Sequence, residues 1–142
     1  MEEKKKLKML FVDDRSKRIH SALRMWKDEL DITIAPSARE ALRLLSSQDW
    51  DIVSLDHDLD GSDYQDPDDH TSGMEIIRYV EKTGWPKVRK VPQFVIHSSN
   101  LFAATAMEAR IAALGFPVHQ GVFVYDQEVE HMKYDERGIP IL

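Results

Sequence analysis

Asp56-His57-Asp58 follows directly on the apolar run Ile52-Val53-Ser54-Leu55, so two carboxylates and an imidazole gather where a strand-like segment ends. Two other apolar runs end in the same manner: Leu7 to Val12 stops at Asp13-Asp14, and Val91 to Ile96 stops at His97-Ser98-Ser99-Asn100. Carboxylates at neighbouring strand ends repel one another unless a cation neutralises them, and oxygen-only ligand sets suit hard divalent ions. Asp13, Asp14, Asp56 and Asp58 are therefore candidate metal ligands, with magnesium the first choice. Calcium and manganese also accept oxygen ligands, and an added histidine would shift the preference toward manganese or zinc. Imidazole titrates close to neutral pH, which makes His57 and His97 candidates to exchange acid and base roles. Ser98, Ser99 and Asn100 stand where a helix begins, so their side chains and the free amides there are candidate phosphate ligands, with Arg15 a further anion contact. Together these groups offer a base, an acid and a neutralising charge, which metal-assisted hydrolysis of a phosphate ester needs.

Each of these residues also has a plainer reading. Aspartate, serine and asparagine are favoured helix N-caps, an arginine early in a helix is commonly a surface residue, and His57 could bond a backbone carbonyl. His20 is expected on the surface and His70 in solvated loop, while His119 and His131 have no evident partner. Asp56, Asp58, Asp60 and Gly61 match the first half of a calcium-binding loop, but its twelfth position is Pro67 where a bidentate glutamate belongs.

The elements that position these groups alternate strand and helix. Leu7 to Val12 reads as the first strand, and Ile19, Leu23, Trp26 and Leu30 repeat at helical spacing after it. Ile32 to Ala35 is a second short strand. Ser37-Ala38-Arg39-Glu40 then forms a capping box for a helix through Ala41, Leu42 and Leu45. Ile52 to Leu55 is the third strand, followed by a long polar loop to about Ser72, which suits a lid or a second ion site. Gly73 to Glu81 is the third helix, Val91 to Ile96 the fourth strand, Leu101 to Leu114 the fourth helix closed by Gly115, and Pro117 to Val124 the fifth strand. In the tail from 125 to 142, a helical turn over Glu128 to Tyr134 and a loose Gly138-Ile139-Pro140 are expected.

Right-handed connections between five such units specify an α/β fold, a single doubly wound five-stranded parallel sheet, for which the flavodoxin-like order 2-1-3-4-5 is the preferred topology. That order makes the first and third strands neighbours, so Asp13, Asp14, Asp56 and His57 face one crevice with His97 one strand further on. The 142 residues, 42% hydrophobic and 31% charged, fit one domain, with a core over about 7–124 and a tail over 125–142. The absence of cysteine excludes disulfides and thiolate metal sites, and the cytoplasm is the expected location. The charged start and its short apolar run suit neither a signal peptide nor a membrane span. A net charge of −6 argues against an extended nucleic-acid surface while allowing a small phosphorylated ligand held by a metal or an arginine.

Leu10-Phe11-Val12-Asp13-Asp14, Asp56 and Ser72-Gly73-Met74-Glu75 resemble the layout of a response-regulator receiver domain. More specifically, Ser54-Leu55-Asp56-His57-Asp58-Leu59 with Val95-Ile96-His97-Ser98-Ser99-Asn100 and Met107 resembles the cyclic-phosphate-processing receiver domains, over about Met9 to Gly115. The resemblance implies a receiver-like fold acting on a cyclic phosphate, with a small phosphorylated substrate or an RNA end as partner. By analogy with receivers, the fourth helix and fifth strand are a pairing face for a homodimer. The chain departs from an ordinary receiver in having no lysine in Phe116 to Phe123 and a histidine, His97, at the fourth strand end. It departs from the cyclic-phosphate branch in having Leu101 and Ala103 where proline and glycine are usual. Two function classes follow: a metal-assisted phosphoesterase with His57 and His97 as acid and base, or a non-catalytic receiver-like interaction module with a magnesium-binding pocket. A phospho-accepting receiver is the third and would gain mass on Asp56.

Overall fold

The computed structural model describes residues 5–59, 65–66, 68–85, 90–121 and 133–141. The chain begins β1 (Leu7–Val12), α1 (Ser16–Trp26), β2 (Leu30–Ala35), α2 (Ala38–Leu45), β3 (Ile52–Leu55) and α3 (Met74–Thr83). It continues with β4 (Gln93–Ile96), α4 (Leu101–Ala113) and β5 (Val118–Gln120), and a short antiparallel pair, β6 (Lys133–Tyr134) and β7 (Pro140–Ile141), follows. The main sheet is parallel throughout and runs β2-β1-β3-β4-β5, the flavodoxin-like order.

Alternation along β1 explains why both faces of the sheet are covered. Leu10 and Val12 join a core with residues of α2, α3 and α4, including Leu45, Ile76, Ile77, Val80, Met107 and Ile111. Met9 and Phe11 point the other way, against Ile19 and Ala22 of α1. Two helix starts are capped by side chains: Ser37 Oγ accepts from Glu40 N at 3.1 Å, and Asn100 Oδ1 accepts from Ala103 N at 3.2 Å. Gly115, at φ 84°, closes α4 in a conformation that a side chain resists.

Several boundaries differ from the pattern in the sequence. Leu30, which continues the helical spacing of α1, instead opens β2 opposite Leu7, because α1 ends at Trp26 and a turn intervenes. β4 begins at Gln93 rather than Val91, since Pro92 has no N–H to give the ladder. β5 is three residues long, and 122–124 lie outside the described residues.

The tail is the larger correction. Residues 128–132 lie outside the described residues, and Lys133 and Tyr134 pair with Ile141 and Pro140 in a hairpin instead of forming a helical turn. Asp135 Oδ1 accepts from Arg137 N at 2.8 Å and Ile139 N at 3.0 Å, which shapes the turn. Ile139, expected loose, is buried against Met9, Phe11, Ile19 and Ala22. Arg137 adds contacts to Glu40 and to the Ile34 carbonyl.

Candidate functional site

Ladder hydrogen bonds run past the strand ends and carry the polar residues into register. Asp13 N bonds Ala35 O at 3.1 Å, Asp56 N bonds Val12 O at 2.9 Å, and His97 N bonds Leu55 O at 3.0 Å. The ends of β1, β3 and β4 therefore meet at one crevice, outside the carboxyl edge of the sheet. Gly73 closes it from below. Its N–H donates to His57 O at 2.8 Å, and a Cβ there would stand 2.0 Å from the Asp56 carbonyl oxygen, so only glycine fits.

Carboxylate oxygens of Asp13, Asp14 and Asp56 lie within 4.8 Å of one another. Asp13 and Asp56 are fully buried, and Asp14 is half-buried. Hard oxygen donors at this spacing fit a divalent cation, and Arg18 takes only Oδ2 of Asp56. Asp58 is not gathered with them. Its Oδ1 accepts instead from His57 Nδ1 at 2.8 Å, from Gln65 N at 2.9 Å and from Asn100 Nδ2 at 3.1 Å. The calcium-loop reading therefore loses its first pair, since Asp56 and Asp58 turn to different partners; Asp60 and Gly61 lie outside the described residues.

A residue the sequence reading passed over sits at the centre. Arg18, one turn into α1 and only 2% exposed, places Nε 2.9 Å from Asp13 Oδ2 and a terminal nitrogen 2.8 Å from Asp56 Oδ2. The Asp56 carboxyl is pushed up to about 7, chiefly by burial and next by the Asp13 charge, while Arg18 and the Ser98 hydroxyl pull the other way.

The two imidazoles are held differently. His97 uses both nitrogens: Nε2 lies 3.0 Å from Asp13 Oδ2 and Nδ1 lies 2.7 Å from Ser54 Oγ. Its ring stacks on Phe11, with centroids 4.5 Å apart. Burial lowers its pKa, against the opposing pull of Asp13. A neutral ring with its proton on Nε2 satisfies both bonds, with the Ser54 hydroxyl donating to Nδ1. His57 is equally buried, yet only Nδ1 is engaged, by Asp58; Nε2 has no hydrogen-bond partner among the described residues. In its neutral form, with the proton on Nδ1, it presents a bare lone pair at Nε2.

The remaining candidates separate. Ser98 Oγ accepts from Asn100 N at 3.1 Å, Ser99 is exposed, and Asn100 spends its amide on capping α4 and bracing Asp58. Arg15 is exposed at the start of α1, and its backbone N–H donates to Asp13 Oδ1 at 2.8 Å. The long loop after β3 is tied down at both described ends: Gln65 accepts from Leu59 N at 3.0 Å and donates to Thr71 Oγ1 at 2.6 Å. Outside the site, His20 is buried in α1 rather than exposed, and His119 lies 3.2 Å from Gln93 Nε2. His70 is exposed beside Glu75, and His131 lies outside the described residues.

Two of the missed residues carry a signal in the sequence. Arg18 falls on the buried stripe with Ile19 and Ala22, and Ser54 is the one polar residue in an apolar strand.

Comparison with known proteins matches this fold. The receiver domain of the Francisella response regulator 1452 superposes with a TM-score of 0.57 at 18% identity, covering 83% of this chain and 86% of its own. The response regulator TrrA from Thermotoga maritima, in complex with Mg²⁺-BeF, superposes with a TM-score of 0.56 at 17% identity, covering 87% and 90%. A response regulator receiver domain protein from Methanospirillum hungatei gives 0.58 at 15% identity, covering 82% of both chains. No curated protein sequence matches the chain. At these identities the structures establish the fold, while the sequence model of the cyclic-phosphate processing receiver domain matches residues 8–113, three-quarters of the chain. With its acidic crevice flanked by two strand-end imidazoles, the chain belongs to the cyclic-phosphate processing receiver domain family.

Proposed function

We propose that this domain is a phosphoesterase that opens a cyclic phosphate on a small phosphorylated ester or an RNA end. The observation that carries the reading is His57: a buried imidazole oriented by Asp58 whose second nitrogen has no hydrogen-bond partner among the described residues. Leaving a buried polar nitrogen unsatisfied costs about 1–3 kcal/mol, so its retention points to chemistry. In the reaction, His57 Nε2 accepts a proton from water, the water oxygen bonds to phosphorus, a ring P–O bond breaks, and the released oxygen takes its proton from His97 in its protonated form. His97 is the second imidazole of the pair and serves as acid only when protonated on both nitrogens, with Nδ1–H then donating to Ser54 Oγ, and by giving up its bond to Asp13; otherwise it positions that carboxylate. Asp13, Asp14 and Asp56 would hold a divalent ion, with Mg²⁺ preferred for its oxygen donors, and the ion would polarise the phosphoryl oxygens. The Mg²⁺ in the TrrA complex supports that choice.

The proposal extends to a single cytoplasmic domain that pairs through α4 and β5. No described helix is long and apolar enough to cross a membrane, and Leu101 and Phe102 stand exposed on α4.

The test is a panel of cyclic phosphates, including 2′,3′-cyclic nucleotides, with and without Mg²⁺ or Mn²⁺. His57→Ala should lower turnover by about 10²–10⁴-fold with the fold intact. Absence of turnover in a folded protein that binds Mg²⁺ would instead support a receiver-like interaction module. The burial of both imidazoles and the pairing of Arg18 with the carboxylates favour that second reading.

A further inference from the structure

Three carboxylates converge at the crevice, and the protein sets one positive charge of its own against two of them. Arg18 has no aqueous alternative, being 2% exposed, and its guanidinium bridges Asp13 Oδ2 and Asp56 Oδ2 at 2.9 and 2.8 Å. We propose that Arg18 is the resident counter-cation of this pocket and antagonises a divalent ion there, so that the crevice is assembled without metal and binds it weakly. The inference rests on the reading that Asp13, Asp14 and Asp56 form the cation site.

The physical reason is local. Like charges in a low-dielectric site interact far more strongly than in water. An ion that takes Asp56 Oδ1 sits beside the guanidinium held on Oδ2 of the same carboxylate. It must bind against that positive charge or displace it, and a displaced guanidinium leaves its two partners to the ion alone. Without Arg18 the same carboxylates would be buried with no compensating charge, which raises their demand for a cation. Arg18 therefore moves the pocket from obligate toward conditional metal binding. Its fixed, planar fork suits this role because one side chain reaches two carboxylates at once, which a lysine ammonium does less well.

Mg²⁺ and Mn²⁺ titrations of the wild-type chain, Arg18→Met and Arg18→Lys by calorimetry and thermal melting, at constant ionic strength, test this without reference to turnover. Arg18→Met should bind Mn²⁺ at least tenfold more tightly than wild type. Its metal-free melting temperature should fall, and Mn²⁺ should raise it by more than in wild type. Arg18→Lys should be intermediate, and adding Asp56→Asn to Arg18→Met should abolish the gain. If Arg18→Met does not fold without metal, Mn²⁺-driven refolding supports the proposal and failure to refold overturns it. Equal affinity in all three proteins would overturn the antagonism while leaving the cation site in place. Weaker binding in Arg18→Met would make Arg18 an organiser of the ligands and overturn it too. No binding in any protein would remove both the inference and the cation site.

Discussion

Among single residues, Asp56 shows most directly how burial sets chemistry. Its folded carboxyl is pushed up to about 7, against 3.8 for an unperturbed aspartate. The folded chain therefore keeps this proton over a range in which the unfolded chain has released it, and the Asp56 contribution to stability falls as pH rises from about 4 through about 7. The lowered carboxyls of Asp51, Asp69 and Glu75 act in the opposite sense and at lower pH, and the lowered pKa of His97 acts in the opposite sense within the same window. From about pH 5 to about pH 8 without divalent ions, the urea midpoint should change in the falling direction by more in the wild type than in Asp56→Asn. An identical change in both would assign the pH dependence elsewhere. His57 and His97 make the complementary point. Both are strand-end imidazoles in the sequence, yet one has both nitrogens engaged and the other, among the described residues, only one.

At the scale of elements, two helix starts hold the crevice. Gly73, immediately before α3, lies so close to the Asp56 carbonyl that Gly73→Ala forces backbone apart at the site, with an expected loss of about 1–3 kcal/mol in denaturant unfolding. Retained stability would mean that α3 shifts freely, and the Asp56–His57 turn would then not be pinned by it. Asn100 links α4 to the Asp58–His57 pair through its two amide atoms. Asn100→Ala should cost about 1 kcal/mol for the cap and should also lower turnover with cyclic phosphate, because Asp58 loses a donor. Asn100→Ser keeps a cap oxygen but has no amide to brace Asp58. It should recover stability without recovering activity, which separates the two roles.

For the whole molecule, the hairpin of β6 and β7 completes the α1 face of the sheet. Ile139 supplies the apolar plug, and Arg137 reaches across to β2 and α2. Ile139→Ala should cost about 2–5 kcal/mol in chemical unfolding. A change under about 1 kcal/mol would mean that the hairpin rests on the core without stabilising it. Because α1 also carries Arg18, such a loss should lower the temperature at which the crevice itself comes apart.

The sequence by itself determined the alternation of strands and helices, a doubly wound parallel sheet and the polar groups at three strand ends, with 2-1-3-4-5 the preferred order that the structure shows. These follow from local periodicity, caps and the handedness of connections, which need no knowledge of distant residues. Asp13, Asp14 and Asp56 were legible as a cluster for the same reason, since the order of strands alone brings them together. Only the tertiary structure decided what each polar atom is bonded to. Asp58 turned from the carboxylate group to His57 and Asn100, Ser54 and Asp13 took both nitrogens of His97, and a helix side chain, Arg18, entered the crevice as its cation. It also placed Ile139 in the core from a segment whose glycine and proline read as loose. Such pairings join residues up to 84 positions apart, and a buried polar atom takes whichever partner packing brings within reach, so no local pattern could specify them.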